Sequence, residues 1–195
     1  MTVIRAEVLG EALVLRTAPG LFSPGRVDRG TLAMLSAAGF EPGMKVLDLG
    51  CGCGVVGITA AKKCGAENVL MADVDPDAVK TALKNAAANG VPELRGVCSD
   101  GFNAIEDAGF DLILSNPPYQ TDFAVAKKFI EKGFNRLKVG GKMLMVTKRL
   151  EWYRNKLKAI FGGVRVREID GYFVFEAEKR SPRYANASGA GKKKK

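Results

Sequence analysis

Histidine is absent from this 195-residue chain, which removes Ser-His-Asp and Cys-His nucleophile pairs, histidine general bases and His-ligated metals together. Any chemistry runs without imidazole. Cysteine is scarce, and Cys51, Cys53, Cys64 and Cys98 lack the paired Cys-x-x-Cys spacing of a zinc site; they read as free thiols. No run approaches the roughly 18 uninterrupted apolar residues of a membrane span. The N-terminus, with Glu7 and Glu11, lacks the shape of a signal peptide. The expected location is therefore the cytoplasm, with no membrane partner. What is present is 47% apolar residues, enough for the core of one domain.

The formal charge of +9 is unevenly placed. Residues 1–123 carry 10 bases and 15 acids, whereas residues 124–158 carry 11 bases against Glu131 and Glu151 alone. Residues 159–178 return to a slight acidic excess, and residues 179–195 hold 7 bases and no acid. A polyanion such as RNA would find two landing zones. The same counts also fit lysines on a solvated helix face followed by a disordered basic tail.

Residues 2–17 form two short apolar runs around Gly10-Glu11, the pattern of an N-terminal hairpin or flap. From Met44 onward, runs rich in Val, Leu and Ile (44–49, 68–74, 96–99 and 110–115) read as parallel strands buried on both faces. Helical stripes separate the first three, with Val56, Ala60 and Cys64 on one face and Val79, Leu83 and Ala86 on another. Two more helices over about 124–137 and 150–161 precede runs at 142–147, 164–169 and 172–177. The tight Asp170-Gly171 link between the last two predicts an antiparallel end to the sheet. The class is α/β. The expected organisation is one domain over residues 1–178 and a tail over 179–195.

Asp48-Leu49-Gly50-Cys51-Gly52-Cys53-Gly54 places glycines at alternate positions between a buried strand and a helix, a turn that exposes bare backbone to a ligand. Asp73 lies 19 residues past Gly54, the range of an acid that accepts from both ribose hydroxyls. Asp75-Pro76 is explained as a helix cap. Asp48 would repel a pyrophosphate on the helix N-terminus but suits the cationic amino group of a methionine moiety. These residues resemble motif I of the class I S-adenosylmethionine-dependent methyltransferases. That resemblance implies a Rossmann-like, doubly wound, mostly parallel seven-stranded sheet with an antiparallel last strand, and S-adenosyl-L-methionine as cofactor. It also implies cofactor contacts at Asp48, Gly50, Cys51, Gly52, Gly54, Asp73, Val74, Asp100, Gly101, Phe102 and Asn116. In that set Asp100 would accept from the adenine amine and Phe102 would lie against the ring; the competing reading of Asp100 is a helix cap.

Asn116-Pro117-Pro118-Tyr119 ends the fourth buried run, at the edge where open α/β sheets bind ligands. A planar amine is a poor nucleophile and must be held in line with the methyl group it attacks. The Asn116 side-chain oxygen and the Pro117 carbonyl suit that task, while the prolines stiffen the turn. Tyr119 offers a stacking face. The tetrapeptide resembles that of amino methyltransferases acting on adenine N6, guanine N2 or the glutamine amide of release factors. Residues 19–30, running from Pro19-Gly20-Leu21-Phe22-Ser23 to Asp28-Arg29-Gly30, and Gly171 to Phe175 look like the leader and last strand of the small-subunit ribosomal RNA guanine-N2 methyltransferases. Bacterial members of that group carry an extra N-terminal domain, and their tetrapeptide commonly ends in Phe where this chain has Tyr119. The resemblance therefore implies methylation of a base amine, with ribosomal RNA as partner. Release factors or DNA adenine are the alternative substrates; a nicotinamide oxidoreductase or a non-catalytic RNA-binding module are the alternative classes.

Overall fold

In the computed structural model, residues 2–17, 26–118 and 123–185 are described. Strands β1 (Thr2–Val8) and β2 (Glu11–Thr17) pair antiparallel as a separate two-stranded sheet. Their alternation buries Ile4, Val8, Leu13 and Leu15 on one face, as period-two patterning requires. The hairpin is fastened to α3 (Pro76–Ala88) by asparagine amides. Asn89 exchanges two hydrogen bonds with the Val14 backbone (2.9 and 2.8 Å), and Asn85 exchanges two with Arg16 (2.8 and 2.9 Å). The amide of a side chain thus replaces a neighbouring strand along the β2 edge.

The remaining strands are β3 (Val46–Leu49), β4 (Val69–Asp73), β5 (Arg95–Cys98), β6 (Phe110–Ser115), β7 (Leu137–Thr147), β8 (Arg165–Ile169) and β9 (Tyr172–Glu178). They form a seven-stranded sheet in the order β5-β4-β3-β6-β7-β9-β8. β9 lies antiparallel to both β7 and β8, as the Asp170-Gly171 turn predicts. Helices α1 (Arg29–Ala37), α2 (Val55–Cys64) and α3, with the hairpin, cover one face of the sheet. Helices α4 (Phe123–Arg136) and α5 (Glu151–Phe161) cover the other.

Three segments differ from the sequence reading. β5 is an edge strand with Arg95 and Cys98 exposed and Gly96 and Val97 half-buried, so it is not buried on both faces. β7 begins at Leu137, five residues before the expected Lys142, because Leu137 pairs with Phe110 across a register shift. Within residues 179–185, assigned to the tail, Lys179 and Tyr184 pack against α4. Lys179 is buried, donates to the Leu137 carbonyl at 2.8 Å and sits 4.8 Å from the centroid of Phe134. Tyr184 packs edge-on against Phe134 and donates to the Glu131 carbonyl at 3.0 Å. The later part of the tail, with Lys192–Lys195, lies outside the described residues.

Candidate active site

Successive strands run outward from β3 to β5 on one side and from β6 on the other, so the chain reverses its winding between the ends of β3 and β6. The crevice beyond such a switch point is where open α/β sheets bind ligands. A cleft of about 490 Å³ opens there, within the size range of small-molecule sites. The turn after β3 forms its floor: the Gly50 and Cys51 amides both donate to the Ala72 carbonyl (2.8 and 3.0 Å). Gly50 and Gly52 have φ of 83° and 52°, and a Cβ at either would project into open space. Only glycine combines that backbone with free approach of a ligand. Gly54, at φ 91°, does not line the cleft; a Cβ there would lie 3.0 Å from the Ala82 Cβ, so it serves the close packing of α2 on α3.

Asp48 lines the cleft yet is only 2% exposed, and its carboxylate accepts from the Gly57 amide at 2.8 Å. Burial pushes its pKa up to about 7, with the nearby Asp73 charge adding to the rise and the Gly57 N–H opposing it. An acid so placed is short of a counter-charge, which a cation in the cleft supplies. Asp73 is preorganised: one carboxylate oxygen accepts from the Gly52 amide (2.9 Å) and the other from the Asp75 amide (3.0 Å), leaving lone pairs for two hydroxyls. Asp75 accepts from the Asp77 amide at 2.9 Å, the helix cap expected of it. Val74 follows with 66% of its surface exposed on the cleft, an apolar platform with no packing role.

Beyond β5, Asp100 and Gly101 line the cleft. The Asp100 carboxylate accepts from Lys128 at 2.8 Å, and residues 101–104 form a turn with no helix to cap. The ring-contact role expected of Phe102 is not available to it. Its side chain is 3% exposed, lies in the core beneath α4 and is absent from the cleft wall. Val125 and Phe129 of α4 occupy that wall instead. Nothing in the local sequence distinguishes Phe129 from an ordinary core position on an amphipathic helix.

At the other end, β6 is pinned to β3 by the Ser115 hydroxyl donating to the Leu49 carbonyl at 2.8 Å. Asn116, Pro117 and Pro118 line the cleft; Tyr119 lies outside the described residues. The Asn116 amide nitrogen donates to Asp28 (2.8 Å) and to the Thr31 hydroxyl (3.0 Å). Its oxygen is buried with no hydrogen-bond partner among the described residues. Such orphan acceptors are costly. Of the leader, residues 19–25 lie outside the described residues, while Arg26, Val27, Asp28 and Thr31 line the cleft.

The basic stretch is partly neutralised by its own neighbours. Lys128 pairs with Asp100, Lys138 with Asp111, Lys142 with Glu176, Arg154 with Glu151 and Lys156 with Glu131. Lys127, Lys148 and Arg149 are exposed near the chain ends of β6 and β7, on the side where the cleft opens. There Phe123 stacks on Trp152 (4.4 Å between centroids), Arg149 lies 5.0 Å over Phe123, and Lys148 lies 4.9 Å over Tyr172.

Asp73, the buried Asp48 and Asn116 all line one cleft. Those features fit S-adenosylmethionine, which Asp73 could hold by its ribose and Asp48 by its ammonium, with Val74 and Gly101 left for its adenine. Comparison with known proteins agrees. The chain is 38% identical over 160 residues to ribosomal RNA small subunit methyltransferase C of Hahella chejuensis, covering 80% of this chain and 46% of that protein. It is 35% identical over 166 residues to the same-named protein of Pseudomonas putida, covering 83% and 49%. The chain thus spans about half the length of the curated relatives it matches. Its fold superposes on the Thermus thermophilus 16S rRNA N2 methyltransferase RsmC, solved with AdoMet and guanosine, at a TM-score of 0.82 and 30% identity, covering 92% of this chain and 50% of that one. The profile of one family matches residues 12–176, and this chain belongs to it: the methyltransferase small domain family.

Proposed function

We propose that this protein is an S-adenosylmethionine-dependent N-methyltransferase that modifies an exocyclic base amine, guanine N2 of ribosomal RNA. The observation that carries the reading is the buried Asn116 oxygen, without a hydrogen-bond partner among the described residues, at one end of a cleft whose other end presents Asp73 and Asp48. When bound, the cofactor supplies a methyl group on a sulfonium. Asp48 would hold its ammonium, Asp73 its ribose hydroxyls, and the turn from Gly50 to Gly52 gives close access to backbone. Asn116 accepts one N–H of the target amine and so turns the nitrogen lone pair toward the methyl. The N–C bond forms as the S–C bond breaks. The alkylated nitrogen then releases its proton to water, so the site needs no general base, in keeping with the absence of histidine.

The choice of guanine in ribosomal RNA is supported by the names of the relatives and by the cations near the cleft: Arg26, Lys127, Lys148 and Arg149 suit phosphates. The test is to incubate the protein with radiolabelled S-adenosylmethionine and, separately, undermethylated ribosomal subunits, naked ribosomal RNA, release factors and DNA. Label in RNA, recovered as N2-methylguanosine after digestion, is the expected result. Label confined to release factors or DNA overturns the substrate and keeps the amine chemistry.

A further inference from the structure

We propose that Asp28, 88 residues from Asn116 in sequence, is a positioning residue that selects which end of the Asn116 amide faces the reacting amine; this rests on the amine-holding role of Asn116 proposed above. An asparagine amide has two ends of nearly equal size and opposite polarity, and rotation by a half turn exchanges them. In the productive orientation the oxygen meets the amine N–H. In the other, two donors face each other and the amine is repelled.

The surroundings of Asn116 discriminate between these states through Asp28. A carboxylate carries acceptors only, so the Asn116 NH2 turned toward Asp28 makes a charge-assisted bond at 2.8 Å, while a half turn would set oxygen against oxygen there. Thr31 strengthens the choice. Its hydroxyl donates to the Asp28 carboxylate (3.4 Å) and must therefore accept from the Asn116 NH2 (3.0 Å). Both amide hydrogens are thereby engaged on the α1 side, and the oxygen is left as the buried acceptor with no partner among the described residues.

Asp28 is itself held firmly. It is the N-cap of α1, accepting from the Thr31 amide at 2.8 Å. A Cβ at Gly30 would come within 2.9 Å of the Asp28 carboxylate and of the Tyr172 ring on β9, so only glycine lets the capped start of α1 close on β9. Asp28, Gly30 and Thr31 act as one unit, and its purpose lies on a different strand end. A helix cap alone needs one acceptor and would be served equally by serine.

The test separates capping from positioning. Asp28→Ser keeps a preferred cap but is too short to reach Asn116; Asp28→Asn keeps an acceptor at full length; Thr31→Val removes the relay hydroxyl. The expected result for Asp28→Ser is a kcat lowered about 10- to 100-fold, with cofactor Kd unchanged and the fold retained by circular dichroism, and recovery of most of that loss in Asp28→Asn. In an Asn116→Ala background, Asp28→Ser should cost nothing more, because it acts only through the amide.

A second readout needs no turnover. In 15N-labelled protein the Asn116 side-chain NH2 signal, assigned by its loss in Asn116→Ala, should show two well-separated, slowly exchanging protons. These should merge toward solvent-like values in Asp28→Ser and, less so, in Thr31→Val. An unchanged signal in Asp28→Ser, or additive losses in the double variant, would overturn the proposal. If the wild-type protein methylates no amine, the functional reading fails by itself, and the NMR result still decides whether Asp28 orients the amide.

Discussion

The two ends of the cleft are built in different ways. The cofactor end is local: Asp48, the turn to Gly54 and the first turn of α2 are continuous in sequence, and the Gly57 amide that meets Asp48 is nine residues away. Asp73 reaches only 21 residues back, to Gly52. The amine end is assembled from afar, since Asn116 is held by Asp28 and Thr31 across 88 and 85 residues. Both Asp73 oxygens are engaged by local backbone amides, whereas the Asn116 oxygen is buried with no partner among the described residues. A strand–turn–helix unit can preorganise a pocket for a constant ligand, while the half that meets a variable substrate draws on the whole fold.

The sharpest way to test that division is to strike each end and look for an effect at the other. Asn116→Ala should lower kcat by about 100- to 1,000-fold, the scale of losing one oriented group in the transition state, while cofactor affinity measured by calorimetry stays within about twofold. Asp73→Ala should do the reverse, weakening cofactor binding by about 100-fold through the loss of charge-assisted bonds to two hydroxyls. A kcat at saturating cofactor that fell equally would erase the comparison.

Asp48 gives the comparison a pH signature. Its folded pKa, raised to about 7 by burial, lies above its ordinary value near 3.8, so between those limits the folded protein binds a proton that the unfolded chain has released. The ligand-free fold should therefore lose stability as pH rises from about 4 to 7. Cofactor affinity should climb about tenfold per pH unit over pH 5 to 7, as Asp48 ionises beside the ammonium, and turn down above about pH 8 when a free α-amino group deprotonates. Asp48→Asn should flatten the climb; an unaltered slope would assign the titration to another group.

Smaller effects test the scaffolding around the two ends. Asn85 is fully buried and joins Arg16 of the hairpin to the Cys53 carbonyl of the glycine turn, the latter at 2.8 Å. Asn85→Ala should cost about 1–3 kcal/mol of stability by leaving those backbone groups unpaired, read from denaturant unfolding, and should loosen the cofactor end more than the amine end. Ending the chain after Ala185 removes Lys192–Lys195 and leaves the packed Lys179 and Tyr184 in place. RNA affinity should then fall, with the slope of log affinity against log salt reduced by up to about 3. An identical slope would leave the tail lysines as solvated charge.

Much of the architecture was legible because its signals are short-range. The strand and helix alternation, the glycine turn and the Asp75-Pro76 cap each depend on neighbours within a few residues and are found where the pattern puts them, although Leu83 of the second helical stripe is exposed. The misreadings share the opposite property. Whether the 95–98 run is central or an edge depends on what lies beside it. Phe102 and Phe129 both pack in the core, and only the placement of α4 against the loop after β5 leaves the second, and not the first, on the cleft wall. Asn85 and Asn89 carry no mark of their partners, since an amide serves equally as a helix end or as a substitute strand edge.

The amino-acid sequence alone determined the α/β class, the antiparallel close of the sheet, a glycine turn with an acid 19 residues beyond it, and an Asn-Pro-Pro at the end of a buried strand. All of these are encoded in contiguous residues whose geometry the backbone dictates. Tertiary structure decided which residues wall the cleft, how deeply Asp48 is buried and which way the Asn116 amide points. Burial and hydrogen-bond polarity are properties of what surrounds a side chain, and for this site the surroundings come from α1, α4 and the hairpin, tens of residues away.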